Sequence, residues 1–201
     1  MRLITLLSLI LTPFIAQADI FEYPLKEVRT LVVCAYEVPC SRAMNIFRKS
    51  AAYIEKSVNV RLKVVAVLEL VEEMTGDPER RVLKWQERTE QARERLNVGA
   101  TIVFVEPYPL LNDIDFEAEQ VYGVANGIGT LGNRDSLTWV KMAGSDRMIS
   151  RIAVHEIGHL MGAWHTNGIG IMGQYTQQIQ HSDAYAPYSI EQIKQYVSQL
   201  P

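Results

Sequence analysis

Along the chain the spacing of apolar residues changes period several times, and each change predicts an element. Arg29 to Tyr36 (RTLVVCAY) is a β-branched and apolar run, which predicts a strand. Beyond Ser41, a residue suited to capping a helix, Met44, Phe47, Ala51, Ile54 and Val58 recur at helical spacing. Arg61 to Val71 is a nearly continuous run rich in Val and Leu, the pattern of a buried strand. Thr75-Gly76-Asp77-Pro78 breaks it. Glu79 to Leu96 then reads as a charged amphipathic helix with Val82, Trp85, Ala92 and Leu96 on one side. Thr101 to Glu106 (TIVFVE) predicts another strand, and Pro107 to Glu119 an acidic loop.

Gln120 to Gly132 (QVYGVANGIGTLG) holds four glycines, which fits either an irregular edge strand followed by a turn or a glycine-rich loop. Ser136 to Met142 (SLTWVKM) predicts a short strand and Ser145 to Gly162 a helix. A loop rich in Gly and Gln follows. The last helix is expected from about Ser189 to Leu200, with Ser189 and Gln192 spaced as a capping box. With no internal repeat, this order of five strands among helices suits an α+β arrangement, a mixed sheet with helices packed on it.

Composition adds to this picture at the N-terminus and at the cysteines. Arg2, the apolar stretch Leu3 to Ile15 and the small-x-small Ala16-Gln17-Ala18 resemble a signal peptide over residues 1–18. The apolar stretch is short for a membrane span, so no stable membrane insertion is expected after cleavage. Residues 19–201 are expected to form one domain, exported to a secreted or periplasmic location and monomeric. The net charge of −3 is dispersed and there is no basic run, so nucleic acid is not indicated as a partner. In an exported chain Cys34 and Cys40 suggest a disulfide closing a small loop, with two free thiols as the alternative.

The chemistry concentrates in one segment. Three of the four histidines fall in His155-Glu156-Ile157-Gly158-His159-Leu160-Met161-Gly162-Ala163-Trp164-His165, an H-E-x-x-H-x-x-G-x-x-H pattern. On a helix, His155 and His159 lie one turn apart on the same face and can share one zinc ion. Glu156 is beside that face, placed to reach a metal-bound water rather than the metal. His165 would point away on a continuous helix, so the helix must end, and Gly162 can take the left-handed conformation that ends it. Three imidazoles leave a coordination position open, which is a catalytic arrangement rather than a closed structural one. The fourth histidine, His181, falls in a polar loop and reads as an exposed residue.

This segment, with Met172 seven residues beyond His165 in HTNGIGIMGQY, resembles the signature of the metzincin zinc peptidases. IAVHEIGHLMGAWHT, the short gap to Met172 and the closing YSIEQIKQY are most similar to the matrixin branch. The resemblance implies an α+β fold with a twisted, mixed, mostly parallel five-stranded sheet, one catalytic zinc, a zinc-binding helix between an N-terminal and a C-terminal helix, and Met172 as an apolar base under the metal. It implies hydrolysis of internal peptide bonds in a protein or peptide substrate, with Glu156 as general base. It also implies an edge strand that pairs with extended substrate, for which Val121 to Ile128 is the candidate, with Val121, Gly123, Val124 and Ala125 as substrate-binding residues. Gly173, Gln174 and Tyr175 match a wall segment of the cleft only loosely. With no histidine before His155, the second zinc of matrixins is not expected. Asp113, Asp115, Glu117 and Glu119 leave a calcium site undecided, though such a run usually reads as solvated surface. No inhibitory pro-segment is recognisable, so the enzyme would emerge active or be restrained by a separate protein inhibitor. Two other classes fit the same ligands: a silent or highly selective zinc-binding fold that grips a partner, and a zinc hydrolase of non-peptide amides.

Overall fold

The computed structural model describes residues 23–35, 37–71, 78–106, 122–168 and 170–201. The signal-like residues 1–18, the acidic run from Asp113 to Glu119, and Val121 lie outside the described residues. The elements in chain order are β1 (Lys26–Cys34), α1 (Cys40–Val58), β2 (Val60–Glu69), α2 (Pro78–Leu96), β3 (Ala100–Val105), β4 (Gly123–Ala125), β5 (Leu137–Lys141), α3 (Asp146–Leu160), α4 (Thr176–Gln180) and α5 (Pro187–Val197). The strands form one sheet in the order β2-β1-β3-β5-β4. Four of them run parallel, and β4 pairs antiparallel with β5 at the edge, with Val124 opposite Trp139. The expected mixed, mostly parallel five-stranded sheet is therefore present.

The alternation of side chains in the central strands feeds two cores. Val28, Val32 and Cys34 of β1, with Ala100, Ile102 and Phe104 of β3, pack beneath α1 and α3 against residues such as Phe47, Ile54, Ile149 and Ile152. The intervening Leu31, Val33, Val103 and Val105 meet Leu137 and Trp139 of β5 and Val82 and Trp85 of α2 on the opposite face. Strands covered on both sides need apolar residues at nearly every position, which is why they appear in the sequence as continuous runs. On the first face α1 and α3 approach closely at Ser50 and Ser150, whose hydroxyls are 2.9 Å apart.

Three local expectations are corrected. β2 is an edge strand, not a buried one. Its run of Val and Leu ends with Val67 41% exposed and Val71 83% exposed, because among the described residues no strand flanks it. Helix α1 begins at Cys40 with Pro39 flanking it and no side-chain cap, so Ser41 lies inside the first turn. Helix α5 begins at Pro187, whose missing N–H costs nothing at the first helical position. Ser189 is thus a buried residue of the first turn, and Gln192 spends its side chain elsewhere, accepting from the Trp164 N–H at 3.1 Å. The loop before α5 also contains the short helix α4, which apolar spacing gave no sign of.

Cys34 and Cys40 are joined by a disulfide that fixes the end of β1 to the start of α1, with Cα atoms 5.5 Å apart. Closing so small a loop restricts the unfolded chain only modestly. Replacing both cysteines by alanine is expected to lower the unfolding free energy by about 2 kcal/mol. Urea titration of the double variant against the oxidised protein checks this.

Candidate metal and catalytic site

Ser145 caps α3 with its hydroxyl, accepting from the Met148 N–H at 3.3 Å, and the helix runs to Leu160. It ends as the glycine predicts. Gly162 has φ +92°, the Gly162 N–H donates to the His159 carbonyl at 2.9 Å, and the Ala163 N–H reaches back to the Gly158 carbonyl at 3.0 Å. Those two bonds are the pair of a Schellman motif, which leaves the chain folded back on the helix end. A side chain at Gly162 would also press on Tyr196 of α5, whose Cβ lies 3.0 Å from where a Cβ would stand.

The turn brings His165 to the first two histidines. The Nε2 atoms lie 3.1 Å apart for His159 and His155, 3.1 Å for His159 and His165, and 3.3 Å for His165 and His155. Tetrahedral zinc with ordinary Zn–N bonds requires ligand nitrogens roughly 3.3–3.4 Å apart. The ring orientations fit as well. The His155 Nδ1–H donates to the Ile171 carbonyl at 2.6 Å, and the His159 Nδ1–H donates to the Ala163 carbonyl at 2.8 Å. A ring that donates from Nδ1 while neutral presents a bare lone pair at Nε2. Lone pairs converging at this distance repel one another unless a cation lies among them. The three histidines therefore fit a metal ion, and they are the one such cluster among the described residues.

Burial and mutual repulsion keep the rings neutral. Burial, then the neighbouring His159, push His155 down to about 3, and His159 and His165 are also lowered, chiefly by burial. Glu156 is driven the other way. It is 6% exposed, and burial raises it to about 8, with the Ala125 N–H acting against that as a hydrogen-bond donor. A divalent cation among the imidazoles would act in the same direction as that N–H and favour the carboxylate.

Two glycines give these side chains their room. A Cβ on Gly123 of β4 would stand 2.7 Å from Glu156 Cγ and 2.8 Å from its Oε1, so the carboxylate lies directly over bare backbone. A Cβ on Gly158 would stand 2.5 Å from Met172 Sδ. Met172 is fully buried against the helix at Gly158, a position between the two helical histidines in sequence. Its loop is closed by the Thr166 N–H donating to the Met172 carbonyl at 2.8 Å. Tyr185, also buried, supports the helix from behind, its hydroxyl donating to the Val154 carbonyl at 2.7 Å.

Of the edge candidates, Gly123, Val124 and Ala125 form β4 and border a cavity of about 420 Å³ in front of Glu156 and His159. Both readings of the glycine-rich stretch hold in part, since a three-residue strand gives way to a turn. Tyr175 stands 63% exposed beside the start of α4 and does not line the cavity. His181 is an exposed residue at the end of α4.

A sequence model described as metallo-peptidase family M12B, reprolysin-like, matches residues 42–166, more than half the chain. The chain belongs to the reprolysin-like M12B metallopeptidases. The match runs from α1 to just past His165 and leaves Met172 and α5 beyond it. This family stands where the sequence reading placed a matrixin likeness. The fold is similar to that of metalloproteinase-II from Bacteroides fragilis, with a TM-score of 0.60, 16% identity and coverage of 89% of this chain and 55% of that one. It is similar to archaemetzincin from Methanopyrus kandleri, with a TM-score of 0.52, 13% identity and coverage of 86% and 97%. A third likeness, TM-score 0.62 and 12% identity over 87% of this chain, is to a structure described as a chaperone-substrate complex. The chain spans 34% of that chain and 55% of the Bacteroides protein. No curated protein matches the sequence.

Sequence reasoning on this reprolysin-like chain missed Gly158, Tyr185, and the carbonyls of Ile171 and Ala163 that orient the rings. Only Gly158 left a signal. A glycine inside a helix costs about 1 kcal/mol against alanine, so its presence indicates a close neighbour. Gly158→Ala is expected to displace Met172, lower stability by about 1–3 kcal/mol and weaken metal retention. Thermal unfolding and metal content after dialysis read the two effects.

The metal-free protein should also show the Glu156 shift. A carboxyl raised from its ordinary value to about 8 contributes stability that is complete at low pH and is lost as pH rises through 8. Protonation of the unfolded histidines, whose folded counterparts are held neutral, opposes this trend within the window as well as below it, so the change is read against Glu156→Gln. Between pH 6.5 and 8 the unfolding free energy of the chelator-treated protein is expected to fall by roughly 2 kcal/mol relative to that variant. Urea titrations of both proteins at stepped pH measure this.

Proposed function

We propose that this metallopeptidase is a zinc-dependent endopeptidase that cleaves internal peptide bonds with Glu156 as general base. The observation that carries it is the placement of Glu156. Its buried carboxyl lines the same open cavity as His159 and His165 and lies against the backbone of the edge strand. Zinc held by His155, His159 and His165 would supply a polarised water and a Lewis acid for the scissile carbonyl. Glu156 accepts the proton of the attacking water and passes it to the leaving amine. Its carboxylate stays aimed because Gly123 leaves it room and the Ala125 N–H holds it. Gly162 turns the third ligand into place, and Met172 fills the helix surface behind the first two.

The edge of β4 favours an extended peptide over a non-peptide amide. The Tyr122 carbonyl and the Asn126 N–H pair with β5, through Lys141 at 2.8 Å and Leu137 at 2.9 Å. By alternation the backbone groups of Gly123, Ala125 and Gly127 face the opposite side, towards the cleft, where the Ala125 N–H is taken by Glu156 and the others are left for a peptide. An extended chain adds there as a sixth strand. Zinc is the metal that the ligand chemistry favours, three imidazoles at tetrahedral spacing. Calcium has no support among the described residues. The short span from His165 to Met172 keeps its matrixin likeness as a feature of that segment. Export and a signal peptide over residues 1–18 complete this reading, with the disulfide as the feature that suits them.

Digestion of unfolded casein by the zinc-loaded protein, beside Glu156→Ala, tests the proposal. The wild type is expected to cut at internal bonds. The variant is expected to lose activity by about 10²–10⁴-fold or more while holding one zinc per chain by elemental analysis. Equal metal content with no cutting by the wild type would reject general proteolysis and favour a silent or highly selective fold.

A further inference from the structure

The cavity is also lined by Gly127 and Ile128, which follow β4 in the chain, and by Trp164, next to His165. The chain has three tryptophans, and two of them, Trp85 and Trp139, are buried in the core. Trp164 is 60% exposed, and Ile128, which lines the same cavity, is 36% exposed. Both are held by rigid backbone. The Trp164 N–H donates to Gln192 Oε1 at 3.1 Å, and its neighbours on either side are Ala163, whose carbonyl orients His159, and the ligand His165. Ile128 is followed by Gly129, whose N–H donates to the His159 carbonyl at 2.9 Å, and by Thr130 and Leu131, which both donate to the Leu160 carbonyl at 2.9 Å. The two apolar side chains are thus fixed to the same helix end, yet neither belongs to either core. The ionisable side chains lining the cavity, Glu156, His159 and His165, belong to the metal site.

We propose that Trp164 and Ile128 form an apolar subsite that takes a large aromatic or aliphatic side chain of the peptide, on the N-terminal side of the cleaved bond. This rests on the peptidase reading above. The side follows from strand polarity. β4 runs from Gly123, over which Glu156 lies, towards Gly127 and Ile128. A substrate that pairs antiparallel with it, the more stable pairing, travels from the Ile128 end towards the Gly123 end. The residue that meets Trp164 is then upstream of the bond attacked beside Glu156. An aromatic or branched aliphatic side chain stacked on the indole gains both area burial and ring contact.

Two measurements test the subsite separately from turnover. In zinc-loaded Glu156→Ala, acrylamide quenching reports Trp164 selectively, because the other two indoles are buried. Peptides of common sequence carrying Phe or Leu at a scanned position are expected to protect that emission. Their Ala or Asp counterparts are expected to bind about tenfold more weakly. No protection by any peptide overturns the subsite. In the second measurement, casein cleavage sites are mapped for the wild type and Trp164→Ala. The wild type should enrich Phe, Tyr or Leu upstream of the cut, and the variant should lose that enrichment with its zinc content unchanged. The same enrichment in both proteins, or enrichment downstream only, overturns the proposal. If the wild type cuts nothing, the peptidase reading fails and the quenching result alone decides the subsite.

Discussion

Three imidazole nitrogens with free lone pairs meet within 3.3 Å of one another, and the rest of the site follows from that requirement. Each ring has to be neutral, and each must turn the same nitrogen inward. The helix supplies the first two by spacing alone. The third comes from a chain reversal that only works if the helix ends after Leu160, the left-handed turn falls on Gly162, and α5 leaves space for it beside Tyr196. The tautomers are then set by backbone carbonyls. One belongs to the turn itself, at Ala163, and the other to the loop that carries Met172, at Ile171. The loop after the motif therefore orients the first histidine of the motif as well as lining its underside.

Close approach is the second recurrent device. Glu156 over Gly123 and Met172 over Gly158 are both contacts in which a Cβ would fall under 3 Å from a side-chain atom. The first ties the acid to the sheet edge, and the second ties the loop to the helix. Together they fix the distances between three elements that are remote in sequence. The sheet provides the frame. Covered on both faces, β1 and β3 hold β5, which in turn holds β4 at the edge next to the helix.

Much of this was legible in the sequence because it is periodic or contiguous. The buried strands β1, β3 and β5 show as apolar runs, α1 and α2 as one-sided stripes, and the ligands and Gly162 lie within eleven residues. What could not be read depends on partners far along the chain. The start of α5 was misplaced because Pro187 supplies the first turn and Gln192 is drawn to Trp164. β2 looked buried because its Val and Leu content is that of a central strand, while its place at the edge is set by topology. Tyr185 bonds to Val154 across a gap that no local pattern records. The family showed the same limit. The histidine helix identifies the clan by its spacing, whereas the branch depends on segments too short to carry it, and the reprolysin-like match was made over α1 to His165 as a whole.

The two halves of the cleft are under different constraints. On the metal side nearly every atom is fixed by something else: Gly158 by Met172, Gly162 by the turn and Tyr196, and the rings by carbonyls. A change there disturbs folding as well as chemistry. On the far side, Ile128 and Trp164 are held by their backbones only, and their side chains contribute to neither core. Substitution at such positions leaves the fold and the ligands in place and alters only what the cleft offers to a passing chain. Exposed apolar side chains on anchored backbone cost solvation without stabilising the protein. The proposed subsite would account for their presence beside the three histidines. Identities of 12–16% over most of this chain show how little shared sequence the fold itself requires.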